Sequence, residues 1–280
     1  MRGKERIRIT EAKLRYLYEE RLLNPYEIAE ILGCSEATIR RRLNCCDIKR
    51  RSRSEAKTQY PKKDFSGDLL EKAYLIGFRH GDLTVRKVES SPESQTIEVL
   101  CSTSRTEQIE LIQRLFAPYG HVQTSSQANG EINIQCYLNM TFAFLLPKQD
   151  NIDDWILQSN DYFIPFLTGY IDADGCIGVD SSNNAAYVRI AGYNVNILHQ
   201  IYQKFQQLDI LGPPPRVCNK KGTRVASGRY LLNQDYWYLA VNRKLSLHRL
   251  FTMIDPFLKH AKRRRDMRRA WANIKARGLS

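Results

Sequence analysis

Leu167-Thr168-Gly169-Tyr170-Ile171-Asp172-Ala173-Asp174-Gly175 and Leu75-Ile76-Gly77-Phe78-Arg79-His80-Gly81-Asp82 end in the same way. In each, two small residues stand four apart (Gly77 and Gly81, Gly169 and Ala173), and an aspartate follows the second. Read as helices, both segments place their small pair on one face, because residues four apart stack on successive turns. Two such faces pack almost backbone to backbone, since close approach is governed by side-chain size. Asp82 and Asp174 then meet at the paired helix ends.

That is a poor place for carboxylates. A helix C-terminus already carries partial negative charge, and two like charges would adjoin there. Two readings stand: each aspartate simply ends a packing helix, or the pair holds a hard divalent cation through carboxylate and carbonyl oxygen. Recurrence of the pattern in one chain favours the second. Mg²⁺ with retained waters suits chemistry on phosphates, so the spacing points to a metal-dependent phosphodiesterase.

On these residues the chain resembles the LAGLIDADG homing endonucleases. The second segment keeps Leu167, Gly169, Ile171, Asp172, Ala173, Asp174 and Gly175 and departs at Thr168 and Tyr170. The first is similar to a diverged copy, with His80 where the signature has its earlier aspartate and Leu83 where it ends in glycine. The resemblance implies an α+β fold: two pseudo-symmetric αββαββα lobes form a DNA-binding saddle, and the chain acts as a monomer. It further implies a site-specific DNA endonuclease that cuts both strands of an extended duplex site. Asp82 and Asp174, with the backbone carbonyls of Gly81 and Ala173, would bind Mg²⁺ or Mn²⁺. A basic residue near the end of each lobe completes such sites, which here designates Lys148 and Lys262, the latter ahead of Lys259. Two alternatives share the body: a transcriptional regulator without catalysis, and an intron maturase that binds RNA.

The rest of the sequence is compatible with this. A chain of 280 residues is long enough for two or three units. It holds no apolar run of membrane-spanning length, and Met1 to Thr10 is charged, without a signal-peptide core, so an intracellular protein, cytoplasmic or nucleoid-associated, is expected. The seven cysteines lack C-x-x-C spacing and read as reduced, mostly core thiols. Lys and Arg outnumber Asp and Glu by 17 to 9 over residues 1–63 and by 9 to 1 over 256–280, whereas 64–255 carries 17 against 20. The net +13 therefore sits at the two ends, as polyanion-binding patches would.

The N-terminal 48 residues carry a second nucleic-acid signal. Leu14, Leu17 and Tyr18 share a helical face, Asn24-Pro25 opens a new helix, and Gly33 closes it. Ser35 then caps a helix bearing Ile39, Leu43 and the triplet Arg40, Arg41, Arg42. This resembles a helix-turn-helix whose second helix enters the major groove, with Ser35, Glu36 and Thr38 near base edges and the arginines near phosphates or guanines. Residues 49–65 read as a basic linker, 66–150 as the first lobe and 160–280 as the second, which ends in a basic helix.

Each lobe reads as a helix, two strands, a helix, two strands and a closing helix. The pattern predicts strands over 83–88, 96–101, 121–125 and 131–138 and a helix over 142–146. It then repeats after Asp174, with a long strand over 230–241. Residues 131–138 alternate, with Ile132, Ile134, Cys136 and Leu138 on one face and polar residues on the other, the mark of a half-buried antiparallel strand. For a DNA enzyme the polar faces become a reading surface. Asn133, Gln135 and Tyr137 in the first lobe and Tyr187 and Arg189 in the second have suitable donors and acceptors, though solvated strand faces look the same. Arg216, Lys220, Lys221, Arg224 and Arg229 lie on a glycine-bearing connection read as flexible and suited to backbone contact.

Overall fold

The computed structural model describes residues 9–51, 60–89, 94–225 and 230–278. It divides into two compact units, Met1–Gln59 and Tyr60–Ser280. No described helix is long and apolar enough to cross a membrane.

The first unit is built from short, well-capped helices. Helix α1 (Glu11–Arg15) starts at Thr10, whose hydroxyl accepts from the Lys13 N–H, and continues as a π-helical turn over Tyr16–Glu20. Helix α2 (Pro25–Leu32) has a reciprocal cap: Asn24 accepts from Glu27 N–H, and the Glu27 carboxylate accepts from Asn24 N–H. Gly33 ends it with φ of 63°, a conformation costly to any residue with a Cβ. Helix α3 (Glu36–Cys45) follows from the Ser35 cap. Leu14, Leu17, Tyr18, Ile28, Ala29, Ile39, Leu43 and Ile48 form this unit's own core.

What reads in sequence as a linker is held at both of its described ends. Arg51 donates its backbone N–H to the Tyr18 hydroxyl and its guanidinium to the carbonyls of Leu22 and Leu23, and it lies 4.6 Å over the Tyr18 ring. At the other end Tyr60 stacks on His121 at 3.7 Å, Lys63 N–H donates to Tyr119, and Phe65 packs among Tyr119, Phe142 and Phe144. Residues 52–59 lie outside the described residues.

In the second unit, helix α4 (Leu69–Gly81), capped by Asp68, leads into β1 (Thr84–Lys87) and β2 (Ile97–Thr103). Helix α5 (Thr106–Phe116), β3 (His121–Ser126) and β4 (Ile132–Leu138) complete a four-stranded antiparallel sheet in the order β1-β2-β4-β3. The short helix α6 (Asp154–Leu157) precedes α7 (Asn160–Asp174), which runs directly into β5 (Gly175–Asp180) and β6 (Ala185–Gly192). Then come α8 (Val195–Gln207), β7 (Arg216–Asn219), a small ribbon of β8 (Arg224–Val225) and β9 (Tyr230–Leu231), β10 (Tyr236–Val241), α9 (Lys244–Ile254) and α10 (Ala261–Ala276). The second sheet is ordered β5-β6-β10-β7. With the ribbon set aside, this is the order of the first. One continuous core, including Phe78, Val99, Leu111, Ile134, Phe166, Leu167, Val188, Ile201, Leu250 and Met267, joins helices and inner sheet faces.

Three expectations need correction. The helix over 142–146 is a 3₁₀ segment, Met140–Leu145, whose three-residue period buries both Phe142 and Leu145. The long strand over 230–241 is broken, because Asp235 turns to accept the Lys221 N–H and leaves β9 and β10 as separate strands. The cysteines are not mostly core: Cys101 and Cys136 are buried, but Cys45, Cys176 and Cys218 are exposed.

Candidate active site at the helix seam

Helices α4 and α7 meet without intervening side chains. A Cβ placed on Gly77 would fall 1.9 Å from the Phe166 carbonyl oxygen, and one on Gly169 would fall 2.1 Å from that of Tyr74. At the seam's end a Cβ on Gly81 would lie 2.4 Å from the Ala173 Cβ and 3.0 Å from Asp174 Oδ2. The small residues thus set the backbone separation and thereby the placement of the aspartates.

Asp82 follows α4 directly and Asp174 is the last residue of α7. Both line one cavity of about 550 Å³, shared with Ser102, Arg105, Gln108, Ala173 and Arg263. Both remain open to solvent in that cavity, yet the protein around them strips much of their hydration. Loss of hydration first, and the Asp82 charge second, hold the Asp174 carboxyl at about 7, against the pull of Lys148 and Arg263. Asp82 is also raised by loss of hydration, opposed by Arg263, Arg105 and a 2.6 Å hydrogen bond donated by Gln108. Two carboxyls placed together disfavour each other's ionisation, and a positive charge between them relieves this.

The residues fit a divalent cation. Two carboxylates and the adjoining carbonyls of Gly81 and Ala173 form a hard, all-oxygen donor set. No group of three or more His, Cys, Asp or Glu side chains is assembled to hold a metal among the described residues, so any such ion would depend on main-chain oxygen, water or substrate for its other ligands. The Ala173 carbonyl is lightly engaged, accepting from Arg263 at 3.5 Å.

The neighbouring motif residues hold each lobe's end in place. Asp172 is wholly buried; its Oδ2 accepts from the Tyr74 hydroxyl at 2.7 Å and from the N–H groups of Lys259 and His260 at 2.7 and 3.1 Å. His260 then caps α10, and the first turn of that helix carries Arg263 to the seam. In the first lobe His80 stands where Asp172 would be expected. It packs edge-on against Phe166, and burial, with Arg79 and Lys148, depresses its imidazole to about 4. The tying role falls instead to buried Arg79, which donates to the carbonyls of Leu145 and Leu83 at 3.0 and 2.5 Å. Leu83 sits in the core rather than at the rim.

Of the expected lysines, Lys148 lies close enough to both aspartates for their charges to raise it, although burial and Arg79 lower it overall. Lys262 lines the cavity, but its ammonium is paired with Asp266 at 2.5 Å. Lys259 is turned away, 4.2 Å over the Tyr74 ring. Arg263, Arg105 and Gln108 escape the sequence reading. A signal was available: Gln108 shares the buried face of α5 with Leu111, Ile112 and Leu115, and Arg263 that of α10 with Met267, Ala270 and Ile274. A polar group on an apolar stripe needs a partner inside.

The candidate reading residues lie on the outward sheet faces. Asn133, Gln135 and Tyr137 alternate with buried Ile134, Cys136 and Leu138, and Gln123 on β3 donates to Gln135 and Tyr137. In the second sheet Arg189 lies 4.5 Å over the Tyr187 ring, and Arg216 is exposed on β7. Lys220, Lys221 and Arg224 are exposed on the turn and ribbon beyond, where Gly222 N–H donates to the Leu232 carbonyl and Leu232 N–H to that of Thr223. Arg229 lies outside the described residues. In the first unit Ser35 and Thr38 bond each other at 2.9 Å, Arg40 pairs with Glu36, and Arg41 and Arg42 are exposed.

Two α+β halves with antiparallel sheets are thus joined through a small-residue seam with an aspartate at each helix end. Among solved structures the chain is similar to I-DmoI in complex with DNA and Ca, at 16% identity over 66% of this chain and 89% of that one (TM-score 0.44). It is similar to the LAGLIDADG meganuclease I-AabMI bound to uncleaved DNA, at 10% identity over 73% and 91% (TM-score 0.46). Full-length DUF199/WhiA from Thermatoga maritima is also similar, at 12% identity over 77% of this chain and 63% of that one (TM-score 0.49). No protein-family model matches the chain, and no curated protein does.

Proposed function

We propose that the protein is a divalent-metal-dependent DNA endonuclease of the homing type, acting on both strands of an extended duplex site. The convergence of Asp82 and Asp174 in one solvent-open cavity, with Asp174 held at about 7, carries this reading. Asp82 and Asp174, with the carbonyls of Gly81 and Ala173, would hold Mg²⁺ or Mn²⁺, which supplies Lewis acidity toward a phosphate oxygen. Gln108 orients the Asp82 carboxylate. Lys148 and Arg263 supply positive charge at the seam and so favour a phosphate dianion-like transition state there. Lys262 would join them on exchanging Asp266 for phosphate.

The outward sheet faces would lie along the duplex as a saddle, each lobe addressing one strand. The N-terminal unit reads as a helix-turn-helix, with Arg41 and Arg42 exposed where they could meet phosphates, and its covalent linkage would add affinity through effective concentration. A monomer suffices, because one chain supplies both carboxylates.

Incubation of the protein with randomised duplex DNA in Mg²⁺ tests the proposal. Double-strand cutting is expected, with a loss of at least about a hundredfold in the Asp174→Asn protein, the scale of removing one transition-state electrostatic contact. A second reading draws on Gln108 and Arg263, which already engage Asp82 and the Ala173 carbonyl: a DNA-binding regulator without cleavage. Specific duplex binding without cutting would establish that reading, and preference for folded RNA would indicate an intron maturase.

A further inference from the structure

The two outward sheet faces differ in chemistry. On the first, the strand register aligns Thr84, Leu100, Gln135 and Gln123 in one row and Ser102, Asn133 and Ser125 in the next. Its formal charges are largely settled within the protein: Arg86 pairs with buried Glu98 at 2.6 Å, and Glu131 accepts from Ser102 and Asn129. What remains is amide. Gln123 Nε2 donates to Gln135 Oε1, and Gln127 Nε2 donates to Asn133 Oδ1.

Each amide pair uses one donor and one acceptor internally. Among the described residues this leaves Gln135 Nε2 with Gln123 Oε1, and Asn133 Nδ2 with Gln127 Oε1, without a protein partner. Turning both amides of a pair around leaves the same complement, one donor and one acceptor. In the major groove adenine alone among purines offers N6–H₂ as donor beside N7 as acceptor, whereas guanine offers two acceptors. The second sheet and the turn and ribbon beyond it carry the cations Arg189, Arg216, Lys220, Lys221 and Arg224, alongside the Tyr187 hydroxyl, which is engaged with the Cys176 thiol. The cations suit phosphate and guanine.

We infer that the target duplex is chemically lopsided, with adenine edges read by paired amides of the first sheet and the other half gripped through phosphate and guanine by the cations of the second. This rests on the proposed duplex-binding function and specifies its substrate. Asn133 and Gln135 are two residues apart on one strand, a rise of about 6.7 Å. That spans about two base-pair steps of roughly 3.4 Å, so the two adenine positions stand about two steps apart in one half-site.

Selection of bound sequences from a randomised duplex library by the full-length Asp174→Asn protein tests this. One half-site is expected to carry the two A·T positions. Gln135→Ala should weaken preference at one of them, and Asn133→Ala at the other, by roughly 5- to 140-fold each. Arg189→Ala and Arg216→Ala should leave those positions unchanged and act on the other half. Gln135→Lys, which donates but cannot accept, should convert its position from adenine to guanine, a gain that misfolding does not produce. Specific binding in which the amide variants leave base preference unaltered, or in which guanine already dominates under them, overturns the inference while leaving the function standing. Absence of any sequence-specific duplex binding overturns both.

Discussion

At the scale of single residues, the seam depends on what Gly77 and Gly169 lack. A methyl group at either position would sit about 2 Å from a carbonyl oxygen of the facing helix, which only backbone movement relieves. Gly169→Ala is therefore expected to destabilise the protein by about 1–3 kcal/mol or more, against the slight gain alanine gives in an unencumbered helix. Denaturant unfolding checks this; a neutral or stabilising result would show that the helices are not in backbone contact. Asp174 adds a pH dependence. Its carboxyl ionises near 3.8 when unfolded and about 7 when folded, so the folded state binds more protons between those values. The stability associated with the protonated carboxyl is complete below pH 3.8 and lost as pH rises through 7. His80 and His260, depressed from 6.5 to about 4, act in the opposite direction, removing stability as pH falls from 6.5 to 4. Their contribution cancels in a comparison with Asp174→Asn. Without divalent metal, the stability of that variant relative to the parent should rise between pH 4 and 8; a flat difference would place Asp174 in ordinary solvent.

At the scale of elements, local chemistry was legible where each end was marked by its own residues. Asn24, Gly33 and Ser35 set the bounds of α2 and α3, because a side-chain acceptor or a left-handed residue satisfies the orphaned backbone groups there. Ser35→Ala should cost about 1 kcal/mol of stability in the N-terminal unit, read from its thermal transition, through loss of the hydrogen bond from Thr38 N–H. A cost near zero would mean that Thr38 or water replaces the cap. Elements specified by distant contacts were less legible. The 3₁₀ segment Met140–Leu145 is decided by the need to bury Phe142 and Leu145 together, and the break between β9 and β10 by Asp235 reaching back to Lys221. Neither leaves a trace within a local window. The substitution of Arg79 for an acidic anchor in the first lobe was hidden for the same reason: its partners, the carbonyls of Leu145 and Leu83, carry no side-chain identity.

At the scale of the whole molecule, a duplicated motif disclosed more than composition did. Asp82 and Asp174 stand 92 positions apart (174 minus 82) yet share one cavity, because the lobe between them folds back to bring α7 against α4. The charge totals indicated a polyanion partner, and the resemblance pointed to Lys262 among the site's cations. Lys262 is held by Asp266, while Arg263, its sequence neighbour, points into the seam, a difference of helical phase that neither the resemblance nor a charge count registers. The central claim is that both carboxylates serve one divalent-cation site. Mn²⁺ binding to the full-length protein at pH 8, followed by the paramagnetic signal of the free ion, tests it most directly. Saturable binding in the parent, lost in Asp82→Asn and equally in Asp174→Asn, is the predicted result; binding that survives in either variant, or that is missing from the parent, would contradict it.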